Sequence, residues 1–122
     1  MLQYRTDLAM EAHELLCAKN RAQTPDTVHA MAERMAQAGA YVILGAHPNV
    51  VQGVERISTV RSDGLTYETV VCYSLGCLLT DARDSENTAG MAVRLEMTYD
   101  PVVRRVWPGA LEVTPLYIAR QR

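Results

Sequence analysis

A glycine, a histidine and a proline stand close together at Gly45, His47 and Pro48, directly after the apolar run Tyr41 to Leu44, within the segment AGAYVILGAHPNVVQGVE from Ala38 to Glu55. Open α/β sheets place their ligand sites on loops of this kind, at the carboxyl ends of buried strands. A neutral imidazole at His47 can ligate a divalent metal or give a proton to a leaving oxygen, and Pro48 stiffens the backbone that aims it. Asn49 adds a neutral amide oxygen, and Gln52 and Glu55 follow closely enough to line a pocket with His47. The bland alternative carries weight: a lone histidine near a strand end is more often structural than a ligand, and polar residues at a strand edge usually face solvent.

A second stretch, YSLGC from Tyr73 to Cys77, has nucleophile types. Ser74 and Gly76 suit a sharp turn at a strand end that exposes a hydroxyl. The pattern is not GxSxG, however, and no His/Asp pair stands at triad-like positions, which argues against a serine hydrolase. A reactive Cys77 thiolate needs a nearby cation such as His47, whereas an inert buried thiol is the commoner state of free cysteine. Asp81, Asp84 and Glu86 lack the glycine and terminal glutamate of a calcium loop and read as solvated. His13 and His29 fall on helical segments. His29 lies one place after Val28, off the Met31 and Met35 stripe, and is expected at a solvated rim.

The elements that must position these residues follow from periodicity. Leu8, Ala12, Leu15 and Leu16 recur at helical spacing between Thr6 and about Asn20, with acidic residues early and Lys19 and Arg21 late, as the helix dipole prefers. In a second helix Thr24 suits the cap and Pro25 the first helical position, Val28, Met31, Ala32, Met35 and Ala36 share a face, and Gly39 closes the helix. Tyr41 to Leu44 reads as a strand buried on both faces and parallel to its neighbour. Val50 to Val60 and Leu65 to Leu75 then form a hairpin around Ser62, Asp63 and Gly64, and that strand region ends near Leu79 before the polar loop 81–88. Met91, Val93, Leu95 and Met97 alternate with polar residues, Asp100 and Pro101 turn, and Val102 to Trp107 and Leu111 to Ile118 are two short strands divided by a turn at Pro108 and Gly109. The expected class is α/β (α+β) in a single domain, 1–122, with two N-terminal helices and a parallel strand followed by mainly antiparallel strands.

The bulk properties set outer limits. With 122 residues, 48% of them hydrophobic, the chain can bury a real core. A net charge of −2 with scattered Lys and Arg gives no basic field, so nucleic acid is not an expected partner. Cys17, Cys72 and Cys77 form no CxxC pair, which speaks against a structural zinc site or a disulfide framework. The first residues carry charge and no apolar run, so no direct membrane insertion is expected and the chain as written reads as cytoplasmic.

Taken together, GAY at Gly39 to Tyr41, GAHPNVVQ at Gly45 to Gln52, Glu55, and YSLGCL at Tyr73 to Leu78 resemble the C-terminal, sheet-rich part of the CapA-like capsule and poly-γ-glutamate synthesis family. There a GAD-like turn, a GHHPHVLQ-like loop, a Glu and a YSLGNF strand occur in this order. Over roughly Pro25 to Arg120, an extent taken from motif order, the likeness implies the C-terminal half of a metallophosphoesterase sandwich, related to calcineurin-like phosphoesterases. Their paired divalent metals, Mn or Zn, activate water and neutralise phosphate oxygens. It also implies capsule or poly-γ-glutamate synthesis machinery as partner, relatives associated with the cell envelope, and His47 with Asn49 as the only metal candidates. Ala46 and Asn49 stand where histidines are usual, Cys77 and Leu78 replace the usual Asn and Phe, and the family's upstream Asp, His and Asn motifs find no room. The expectation is therefore a truncated or degenerate member that binds or assembles, with no cofactor of its own. Its pocket would be built from Gly45, Asn49, Gln52, Glu55, Ser74, Gly76 and Cys77. The alternatives are a metal-dependent phosphoesterase completed by another chain, a second copy or a missing N-terminal half, with a partner closing the sheet, or a gene fragment with no independent role.

Overall fold

A computed structural model describes residues 24–80 and 88–119. The helix expected over 6–20, Cys17 and most of the acidic loop lie outside the described residues. The described chain opens with α1 (Asp26–Gln37), which buries Val28, Met31, Ala32 and Ala36 on the face that the 3.6-residue spacing marks out. Asp26 in its first turn and Arg34 in its last suit the helix dipole. Pro25 is itself the N-cap, with extended backbone and no side-chain cap bond, so Thr24 does not cap and Pro25 stands one place earlier than its type suggests. The far end closes as expected: the N–H groups of Gly39 and Ala40 donate to Ala36 and Met35 at 3.1 and 3.0 Å, the paired bonds of a Schellman turn.

Three strands follow, β1 (Val42–Leu44), β2 (Val54–Val60) and β3 (Thr66–Cys72), in the order β1-β3-β2. β1 runs parallel to β3, with Leu44 opposite Cys72, and β2 runs antiparallel to β3. The turn between them is tied by the Asp63 carboxylate, which accepts from the Leu65 N–H at 2.9 Å. α1 lies on one face of this sheet, where Val28, Ala32, Ile43, Val71 and Tyr73 form a buried cluster flanked by Met35, Ala40 and Ile57. Each fully buried aliphatic side chain there contributes about 1.5–3 kcal/mol.

β1 departs from expectation. Ile43 is buried, but Val42 and Leu44 are 39% and 65% exposed, so the apolar run is not buried on both faces. The helix covers only the Ile43 side, and β1 is an edge strand whose outer edge pairs with nothing among the described residues. β2 and β3 are also shorter than the runs 50–60 and 65–75, and Leu78 and Leu79 are well exposed.

The remaining strands, β4 (Ala89–Asp100) and β5 (Arg105–Tyr117), form one long antiparallel hairpin. Asp100 organises its turn, accepting from the N–H groups of Val102 and Val103 at 2.8 and 3.2 Å. The expected break at Pro108 and Gly109 does not occur. Pro108 pairs opposite Met97, beside a register shift between Leu95 and Met97, and an irregularity of that kind accommodates a residue without an N–H inside a continuous strand. The hairpin joins the first sheet through the bridge Gly76 to Gly90 and the bond from the Met91 N–H to the Leu75 carbonyl at 2.8 Å. It is clamped further by Arg105, which donates to the Thr66 carbonyl at 2.6 Å and stacks on Tyr67 and Trp107. The fold is thus α+β, mixed sheet first and antiparallel hairpin second.

Candidate functional site

Parallel pairing of β1 with β3 brings the two motif loops side by side, because both leave the same end of the sheet. In the first loop Pro48 and Val50 are buried anchors, and His47 and Asn49 between and before them are exposed, with positive φ angles of 91° and 59°. Gly45 is the close-approach point: its N–H donates to the Cys72 carbonyl at 2.7 Å, and a Cβ there would lie 2.0 Å from the Tyr73 carbonyl oxygen.

The loops are then stitched together. The buried Gln52 gives its backbone N–H to the Ser74 carbonyl at 3.0 Å, and the Cys77 thiol donates to the Asn49 carbonyl at 3.3 Å. Ser74 is 2% exposed and its hydroxyl accepts from the Gly76 N–H at 3.3 Å, so it is a turn-former and not a presented nucleophile. Gly76, at φ 72°, meets the hairpin at Gly90. The half-buried Cys77 therefore has the Asn49 carbonyl, not the His47 imidazole, as its hydrogen-bond partner. Cys72 is buried, and burial pushes its thiol up, away from reactivity.

Glu55 takes its hydrogen bonds elsewhere. The hydroxyl of Tyr73, a residue only 1% exposed, donates to Glu55 Oε1. His29 Nδ1 lies 2.8 Å from the same hydroxyl and 3.3 Å from Glu55 Oε1, with its ring edge-on to Tyr73 at 4.6 Å. A phenol has one proton, and here it points at the carboxylate. The 2.8 Å contact thus requires a proton on His29 Nδ1, donating to Tyr73 Oη. Burial first, then the bond to Glu55, holds the Tyr73 hydroxyl well above the ordinary phenol range, so it remains a donor. This trio borders an open cleft lined also by Thr24, Asp26, Gly53 and Val54.

The solvated-rim expectation for His29 is right about its exposure, 42% of the side chain, and incomplete about its partners. Tyr73 enters the sequence pattern only as the first residue of the YSLGC stretch. Period-two spacing from the buried Val71 places Tyr73 on the helix-covered face, and Glu55 sits opposite Val71 in the β2–β3 register, which is the signal that joins them.

Among the described residues, no three of His, Cys, Asp and Glu gather closely enough to hold a metal ion. His47 offers one imidazole and Asn49 one amide, a donor set that does not fit a metal pair. No helix among the described residues is long and apolar enough to cross a membrane.

Comparison with known proteins finds a matching family model. The family model described as Bacterial capsule synthesis protein PGA_cap aligns with residues 16–82, more than half of the chain, and takes in α1, the first sheet and both motif loops. No curated protein and no solved structure matches.

Proposed function

Since the chain belongs to the bacterial capsule synthesis protein PGA_cap family, we propose that it serves the making of capsular polysaccharide or poly-γ-glutamate as a binding or assembly component, in the manner of a degenerate metallophosphoesterase-like domain. The observation that carries this is the state of the two motif loops. Their backbone is held in a defined arrangement by Gly45, Gln52, Ser74 and Cys77, yet the arrangement presents one exposed imidazole, His47. A loop pair built this firmly keeps a shape for recognition, whereas two-metal hydrolysis needs several convergent ligands.

Calorimetric titration of the pure chain with Mn²⁺ and with Zn²⁺ is the test. The expected result is no tight binding of either ion. Tight binding that His47→Ala abolishes would overturn the proposal.

A second function, metal-dependent phosphoesterase completed by another chain, is favoured by the edge of β1 that stays unpaired among the described residues. That strand ends in the His47 loop, and a parallel strand added alongside it would deliver its own carboxyl-end loop next to His47. This reading requires turnover of an aryl phosphodiester with added Mn²⁺ that rises more steeply than linearly with protein concentration. A flat assay across concentration, metals and pH retires it.

A further inference from the structure

The cluster joins His29 on α1 and Glu55 on β2 to Tyr73, the first residue of the second motif stretch, and its hydrogen bonding does not depend on the capsule reading. Its hydrogen bonds engage one oxygen of Glu55 and one nitrogen of His29, and the buried Tyr73 hydroxyl fixes both groups in place. Among the described residues, Glu55 Oε2 and His29 Nε2 have no partner. In a neutral imidazole with its proton on Nδ1, both of these atoms are acceptors.

The rest of the cleft adds to this character. Asp26 and Thr24 line it, no Lys or Arg among the described residues does, and Gly53 leaves its wall open. The N-terminus of α1 is also close, and its roughly half unit of positive charge favours an anion. Two full carboxylate charges outweigh that half charge, so with the imidazole neutral the cleft favours a cation whose N–H groups can satisfy several acceptors at once.

We propose that this cleft binds a hydroxylated ligand through a primary ammonium group, held by Glu55 Oε2 and His29 Nε2 with Asp26 supplying longer-range attraction. An ammonium has three donors and no acceptor, which complements the acceptors presented here. The open wall at Gly53 and the Thr24 hydroxyl leave room for a polar body behind the amine.

The test compares glucamine, sorbitol and gluconate, three polyols that differ in carrying a positive, no or a negative charge, by calorimetry and by shifts of the His29 ring resonances at pH 8. Glucamine is expected to bind at least about tenfold more tightly than sorbitol, with gluconate weaker still. Glu55→Gln is expected to weaken glucamine about tenfold or more, and the remote Arg94→Ala to leave it unchanged. A Cβ at Gly53 meets nothing within 4 Å, so Gly53→Val is expected to block the cleft while keeping the wild-type unfolding midpoint. The proposal is overturned if glucamine shows no saturable binding in the millimolar range, if sorbitol binds equally well, or if Gly53→Val folds normally and binds as the wild type does.

Discussion

Gly45→Ala is expected to destabilise the chain by about 3 kcal/mol or more, enough to leave a small domain largely unfolded. The added Cβ would stand 2.0 Å from the Tyr73 carbonyl oxygen and 2.8 Å from its carbon. These are backbone atoms, so no side chain can swing aside. Relief requires β1 to draw away from the end of β3, which breaks the bond from the Gly45 N–H to the Cys72 carbonyl and loosens the packing of Ile43 on Val71. Gly53→Ala is the matched control, because its Cβ meets nothing within 4 Å and its backbone is outside the left-handed region. It is expected to be neutral or slightly stabilising, through the less flexible unfolded chain. Urea denaturation of the two variants beside the wild type measures the difference, and a Gly45→Ala midpoint equal to that of Gly53→Ala would mean that the strand ends are not in contact.

That contact also explains what the sequence could and could not reveal. The face of α1 was legible because Val28, Met31, Ala32 and Ala36 follow the helical period and need no knowledge of a partner. The hairpin turn at Asp63 and Gly64 was legible because its bonds are local. The apposition of the two motif loops was foreshadowed by their glycines and by the parallel reading of β1. The exposure of β1 was not: an apolar run states that a strand can be buried, while its place at the sheet edge depends on which strands pair beside it. Continuity of β5 through Pro108 was hidden for a related reason, since the register shift beside the proline exists only in the pairing, where Gly109 and Ala110 stand against the single residue Glu96 of β4.

The His29 cluster was the least legible part. Its contacts span 26 and 44 residues and depend jointly on the rotation of α1 and the register of β2 on β3. Helical periodicity locates His29 at the margin of the buried stripe, and strand periodicity locates Tyr73 beneath it. Only their combination tells that the margin of one meets the interior of the other.

Two substitutions at Tyr73 separate what packing does from what the hydroxyl does. Tyr73→Ala is expected to cost about 3–5 kcal/mol, because a nearly fully buried ring at the meeting point of α1, β1 and β3 is removed and leaves a cavity that Val28, Ile43 and Val71 cannot fill. Tyr73→Phe keeps the ring and removes the bond accepted from His29 and the bond donated to the Glu55 carboxylate. That carboxylate is 40% exposed and can take water in exchange, so the expected cost is about 1 kcal/mol. The hydroxyl also leaves a pH signature. Its folded-state pKa lies above the unfolded phenol value of about 10, so its contribution is complete below that pH and falls away as pH rises towards the folded value. The alkaline loss of stability should therefore be shallower in Tyr73→Phe than in the wild type. Measured by urea unfolding between pH 7 and 11, a phenylalanine variant as unstable as the alanine one would shift the weight from ring packing to the hydrogen-bonded trio, and with it the view of Tyr73 as a core residue that also aligns Glu55 and His29.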